Sequence, residues 1–267
     1  MVNLFQGKTD TPIMQETNKQ IDAIIDRVTK FKIEPNFSIE FNKRTENRPP
    51  ETLSKNELLE IFVRLISFSQ QAISKKVKVL IENKIFDEIL DNYDVDKVAK
   101  MNPCDLVEKH WSKVTGIRQQ TKFFQIVMFS RLIQKDNTVL ELLTNPPVPK
   151  TIKSEADIKD FWRGFKTLQQ KLKLSKTPFL RETTTLLHFL LDVGYDCIKP
   201  DSAVMKASKK IGLVESETGE KNYIKTVAFI QNYALKEGIR PSIIDLYLLI
   251  EGKQTDASQL VDKTYYN

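Results

Sequence analysis

Cysteine and histidine are almost missing from the 267 residues: two of each, Cys104 and Cys197, His110 and His188. Two cysteines cannot build a disulfide framework or a four-cysteine cluster, and they read as buried thiols in a reducing compartment. Neither histidine stands in a helical pair with a glutamate, so no metal site is expected. His188 lies in an apolar run and reads as a core residue. Glycine is scarce too, at eight residues, and none forms a loop that would cradle a phosphate. Nucleotide-dependent chemistry is therefore not expected, and no cofactor is implied. The longest apolar runs, such as Leu186 to Val193, fall far short of the ~20 residues a membrane span needs. No signal peptide is visible. The expectation is a soluble intracellular protein that does not engage a membrane.

What is present is ordinary in amount and distinctive in pattern. Hydrophobic content is 40% and charged content 28%, both usual for a globular chain. Apolar residues recur at helical spacing, with few alternating β-branched runs, which predicts an all-α fold. The formal charge is +6. A basic excess attracts polyanions such as nucleic acid, though many basic proteins bind neither nucleic acid nor membrane.

Along the chain, residues 1–14 read as a loose arm and 15–31 as a helix buried through Ile21, Ile24, Ile25, Val28 and Phe31. From Lys32 to Thr52 the periodicity fails, and Phe37, Ile39 and Phe41 alternate as in a short extended piece on the core. Ser54 and Glu57 form a capping box that opens a helix carrying Leu58, Leu59, Phe62, Val63, Leu65 and Ile66. Helices are predicted at 74–83, 84–91, 94–100, 103–111 and 119–134, the last with Phe123, Phe124, Val127 and Met128 inward. Asn145-Pro146-Pro147-Val148-Pro149 is too proline-dense for a helix. Further helices are predicted from Ser154 onward and at 180–193, 203–211, 221–236 and 241–251, with a polar, frayed tail after Gly252.

The stretch from Gly194 to Gly212 is the most informative. An apolar helix ends at Gly194, Pro200 forces a short extended link, and Asp201-Ser202 opens a basic helix. Asp201 is an ordinary helix cap when read alone.

Three separated pieces give that acid more meaning. Phe62 to Ala72 ends in Ser69-Gln70-Gln71-Ala72. Val114-Thr115-Gly116-Ile117-Arg118 runs on to Lys122. Thr177-Pro178 leads through Gly194 to Asp201-Ser202-Ala203-Val204. In order and spacing, over roughly residues 55–215, these resemble the helix-hairpin-helix (HhH-GPD) DNA glycosylases of base-excision repair. The resemblance implies two helical subdomains with a cleft between them. Residues 1–54 would pack with the C-terminal subdomain, 55–193 would form a six-helix-type bundle ending in the hairpin, 194–252 would carry the catalytic loop, and 253–267 would fray.

The activity implied is removal of a damaged base from double-stranded DNA, by a monomer without cofactor or metal. A base inside a duplex is first rotated out into a pocket. Breaking its bond to the sugar leaves positive charge, which a carboxylate stabilises. Asp201 matches the catalytic acid. The DNA-binding residues implied are Gln71, Arg118, Lys122, Arg181, Thr183, Lys199, Ser202 and Lys206, of which Gln71 would fill the gap left by the rotated nucleotide or simply cap its helix. Trp111, Trp162 and Tyr195 are candidates to stack on the base, though each is more often core than platform. The site of action would be the cytoplasm and nucleoid in a bacterium, the nucleus in a eukaryote.

Three departures qualify the match, one being Ala203 where the family often has a histidine after the acid. The family hairpin carries two glycines where this chain has Phe179 and Arg181. Thr183 stands where strand-cutting members hold a lysine, and a threonine cannot form a Schiff base. Base removal without strand cutting is therefore the expectation. A DNA-binding module without catalysis, or a helical interaction protein in which Asp201 only caps, remain as alternatives.

Overall fold

The computed structural model describes residues 12–69 and 71–267, apart from the side chain of Ile13. Among the described residues the chain is all-helical. In order the helices are α1 (Pro12–Phe31), α2 (Asn36–Glu46), α3 (Lys55–Phe68), α4 (Ser74–Glu82), α5 (Ile85–Ile89), α6 (Val95–Val98) and α7 (Pro103–His110). They continue as α8 (Thr121–Lys135), α9 (Asn137–Thr144), α10 (Glu155–Leu174), α11 (Thr183–Val193), α12 (Ser202–Lys210), α13 (Glu220–Glu237) and α14 (Pro241–Glu251). One isolated antiparallel bridge joins Lys32 to Val261.

Helix starts follow the local chemistry. Ser54 accepts from the amide of Glu57 at 3.2 Å while Glu57 accepts from the amide of Ser54 at 2.8 Å, the reciprocal box read from the sequence. Asp94, Asn102, Asp136 and Asp201 each receive backbone amides at the start of their helices. A cap of this kind is worth about 1 kcal/mol.

The chain divides into two compact units, each with its own core. Unit 1 contains the described residues up to Pro49, Pro149–Trp162 and Leu190–Asn267; unit 2 contains Pro50–Val148 and Arg163–Phe189. Residues 149–162 thus group with unit 1, not with the bundle 55–193 expected from the sequence. In unit 1, α14 is the central element. Every residue from Pro241 to Glu251 is buried, as expected for a helix that is apolar nearly all round. Helices α1, α2, α12 and α13 pack against it. In unit 2, α3 and α8 form the centre, and Phe62 stacks on Phe129 with ring centroids 3.9 Å apart.

Several expectations are corrected. Residues 36–46 form a helix, not an extended piece: Phe37 and Phe41 stack at helical spacing, 6.0 Å apart, and Ile39 is left 60% exposed. The inward face of α8 carries Phe123, Ile126, Val127, Phe129 and Ile133, while Phe124 and Met128 face outward. Helix α9 has no counterpart in the sequence reading. The tail after Gly252 is not frayed. Ala257, Leu260, Val261 and Tyr265 are buried, and the amide of Asp262 donates to the carbonyl of Phe31 at 2.8 Å.

Candidate functional site

The Asp201 segment is built on α14. Helix α11 ends at Gly194, whose φ of +102° falls where glycine is at ease. A Cβ there would meet the backbone of Arg48 at 2.6 Å, so the chain passes too closely for any side chain. From Tyr195 to Ile198 the link is buried. Arg240 fastens it. Its Nε donates to Asp196 Oδ1 at 2.8 Å and one amino group donates to the carbonyl of Gly194 at 2.7 Å. The other amino group reaches the carbonyls of Arg44 and Asn47. Asp196 also accepts from the amide of Ile152 at 2.9 Å, and Gln231 donates to its carbonyl at 3.0 Å.

Asp201 then caps α12. Its Oδ1 accepts from the amides of Ala203 and Val204, both at 3.0 Å. The Lys199 ammonium lies 3.7 Å from Oδ2, too far for a hydrogen bond but close enough to matter electrostatically. The Asp201 side chain stays 21% exposed. The carboxylate is therefore fixed but still reached by solvent. Behind it, the amide of Lys199 donates to Asp245 Oδ1 at 3.1 Å, and Arg44 donates to Asp245 Oδ2 at 2.6 Å. Burial pushes the Asp245 carboxyl up; Arg44 beside it pulls the other way, and the Asp201 charge adds to the rise.

Helix α12 is held at both ends by α14. Gly252 lies so near Ala203 that a Cβ would sit 2.0 Å from the Ala203 carbonyl oxygen. Lys210 pairs with Glu251, which also receives Arg27 and, at 2.5 Å, the hydroxyl of Tyr265. Burial opposes ionisation of Glu251, but these three donors outweigh it and hold its carboxyl below the usual range.

Ser202 and Lys206 are exposed on the first turns of α12. Tyr195 and Trp162, candidates to stack on the base, are core residues of unit 1, the more frequent reading of each. Tyr195 is 2% exposed, and burial pushes its hydroxyl up to about 12. The Trp162 indole N–H donates to Gln231 at 2.9 Å, which fits a structural role.

In unit 2 the matched residues separate into surface and interior. Gln71 is exposed with a φ of +63°, and Arg118 is exposed with a φ of +70°. Trp111 is half-buried on a short 3-10 turn. Arg181 is exposed, 3.6 Å from Glu182. Lys122 and Thr183 are corrected as DNA contacts, because neither reaches the surface. The Lys122 ammonium is fully buried and donates to the carbonyls of Ser69 at 2.6 Å and Ser67 at 3.3 Å. It closes the C-terminal end of α3, where helix carbonyls lack partners. Burial pulls its amine down to about 8. Thr183 is buried and accepts from Gln169 at 2.8 Å.

In the turn before α11, Phe179 takes backbone that glycine would favour. Phe179 has a φ of +61°, its ring meets Phe62 edge-on at 6.0 Å, and its carbonyl accepts from Thr185 at 2.6 Å. Packing of its half-buried ring against Phe62 offsets a conformation that ordinarily costs an L-residue about 1–2 kcal/mol.

Sequence reasoning missed Arg44, Asp196, Arg240, Asp245 and Glu251. The first and fourth of these are separated by 201 residues, so no local pattern joins them. Among the described residues, no helix is long and apolar enough to cross a membrane. Compared with protein-family models, curated proteins and solved structures, the chain matches none.

Proposed function

We propose that this chain is a DNA glycosylase that hydrolyses the bond between a damaged base and its sugar and leaves the strand uncut. The observation that carries this reading is the state of Asp201. One oxygen is fixed by two amides, while the side chain as a whole stays partly open to solvent. Such a carboxylate can face a cationic sugar without having to be reorganised first, which is the property electrostatic catalysis needs. The left-handed φ at Phe179 adds support, since it is backbone that a glycine at that position would favour. Arg181 and Arg118, both exposed, are available to phosphates. The absence of strand cutting rests on Thr183, which offers no amine at the matched position.

A second reading has its own support. Both amides fall on the same Asp201 oxygen, as in any capped helix, and Lys199 lies near the other. Asp201 is then a cap, and the chain is a helical DNA-binding or interaction protein without catalysis.

Asp201→Asn separates the two. Asparagine caps nearly as well as aspartate, so the melting temperature and duplex affinity should hold. Base release from duplexes carrying one uracil, one methylated purine or one oxidised guanine should fall about a hundredfold or more. Unchanged release would leave Asp201 a cap. Borohydride should trap no covalent adduct between wild-type protein and DNA; a trapped adduct would contradict base removal without strand cutting.

A further inference from the structure

We infer that Asp245, backed by Arg44, is a positioning residue for Asp201, its buried carboxylate setting where the link 199–201 lies. This rests on the glycosylase reading for its functional consequence, but not for its geometry.

Pro200 has no N–H, so the three-residue link has two backbone donors, Lys199 and Asp201. The amide of Asp201 turns back to the carbonyl of Lys199 at 2.8 Å and ties the link only to itself. The amide of Lys199 is the donor that leaves the link, and Asp245 Oδ1 receives it at 3.1 Å. Asp245 stands on α14, and Gly252 at the end of that helix lies against Ala203. Asp201 is thus bracketed by two contacts with one rigid element, one before it and one after.

The Asp245 side chain is 1% exposed and faces Arg44 Nη1 at 2.6 Å. A buried ion pair is poor support for a fold, because an apolar pair of similar size serves as well or better. What an apolar pair cannot supply is an acceptor at that point. Arg44 has a matching part: it keeps Asp245 Oδ2 occupied and donates to the carbonyl of Ser242 at 3.0 Å, fixing the carboxylate so that Oδ1 meets the link. The Lys199 backbone also sets the reach of its ammonium, which lies 3.7 Å from Asp201 Oδ2. Asp245 therefore governs both the place of Asp201 and the cation beside it.

The test compares two double variants with wild type. Arg44→Met with Asp245→Leu removes the charges and the acceptor. Arg44→Met with Asp245→Asn removes the charges and keeps an acceptor of the same shape. Melting temperature, amide exchange at Lys199, duplex affinity and single-turnover base release are measured on the duplexes carrying uracil, a methylated purine or an oxidised guanine. In the Leu variant the fold should persist, and the Lys199 amide should exchange about tenfold faster, as loss of one hydrogen bond implies. Base release should fall about a hundredfold with duplex affinity kept, as a small misplacement of a reacting group implies. The Asn variant should restore both exchange and release. An unfolded Leu variant would overturn the inference, because a purely structural pair would then be enough. So would unchanged Lys199 exchange in the Leu variant, or failure of the folded Asn variant to restore it. If wild type releases none of the three bases, the glycosylase reading fails, and the exchange comparison still decides whether Asp245 holds the link.

Discussion

Unit 1 buries Asp196, Asp245 and Glu251 and gives each a cation: Arg240, Arg44, and the pair Arg27 and Lys210. Unit 2 buries Lys122 and gives it two backbone carbonyls. The paired acids bind segments far apart in sequence, so removing one partner strands a charge in the interior. Lys122 also reaches a distant segment, the end of α3, but through neutral carbonyls and not through an opposite charge. Its cost is internal to the site, and it surfaces as a proton held loosely, with the amine drawn down to about 8. Buried charge meets opposite charge in the first unit and plugs a helix end with neutral carbonyls in the second.

Arg44→Met is the sharpest way to break the contrast, and the largest stability effect is expected there. It leaves the Asp245 carboxylate, 1% exposed, with the Lys199 amide as its remaining partner. Orphaning a buried charge costs about 3–5 kcal/mol. Arg44 itself is 20% exposed, so water can reach part of the site and the lower end applies. Adding Asp245→Asn should recover most of the loss, because no charge is then left behind. Denaturant unfolding of the single and double variants measures both. A double variant no more stable than Arg44→Met alone would show that lost packing, not stranded charge, dominates.

Lys122→Met tests the other half. The carbonyls of Ser67 and Ser69 lose their donor, but a buried ammonium disappears with it. The two nearly cancel, leaving a loss of about 1 kcal/mol at neutral pH. The sign of the pH dependence is more telling. The folded-state amine titrates near 8, against 10.5 unfolded. Between those values the unfolded chain binds more protons than the native one, so wild-type stability gains from Lys122 as pH rises through that window. The tyrosines with raised hydroxyls, Tyr195 among them, act oppositely above 10 but are shared by the variant. The wild-type advantage over Lys122→Met should therefore grow from pH 8 to pH 10. An advantage that stays flat would mean the ammonium is not desolvated.

The same contrast explains what could be read from the sequence. The capping box at Ser54 and the cap at Asp201 were legible because each involves neighbours within three residues. The all-helical class was legible from periodicity summed over many turns. Helix α2 was not, because Phe37, Ile39 and Phe41 fit an alternating pattern as well as a helical one; only packing chose between them, stacking the two rings and leaving Ile39 outside. The outward side of α8 misled for a related reason: Phe123 and Phe124 are adjacent and equally apolar, and one of them had to face away. For Lys122, the family resemblance implied a DNA contact at the surface. Its burial depends on where α3 ends, a tertiary fact. Asp245 sits in an apolar helix, and its partner Arg44 lies 201 residues away. The candidate site was legible in its capping acid and illegible in the charges that hold it.

Arg118→Gly carries the smallest expected effect and discriminates best between a residue kept for the fold and one kept for a ligand. Arg118 ends the 3-10 turn Thr115–Ile117 with a φ of +70°, and its side chain is exposed. An L-residue in that conformation costs about 1–2 kcal/mol, which glycine relieves. Glycine also loosens the unfolded chain, giving back about 0.5–1 kcal/mol. The net is a gain of roughly 0.5 kcal/mol, in contrast to the losses expected at Arg44 and Lys122. If Arg118 contacts a phosphate, duplex affinity should move the other way, falling equally across sequences, and the dependence of log affinity on log salt should flatten by about one. Stability and affinity measured on the same preparation give two signs. Opposite signs would mark an arginine kept at a strained position for its charge. A gain in stability with unchanged affinity and salt slope would remove Arg118 from the DNA-binding surface and leave the exposed Arg181 to carry that part of the proposal.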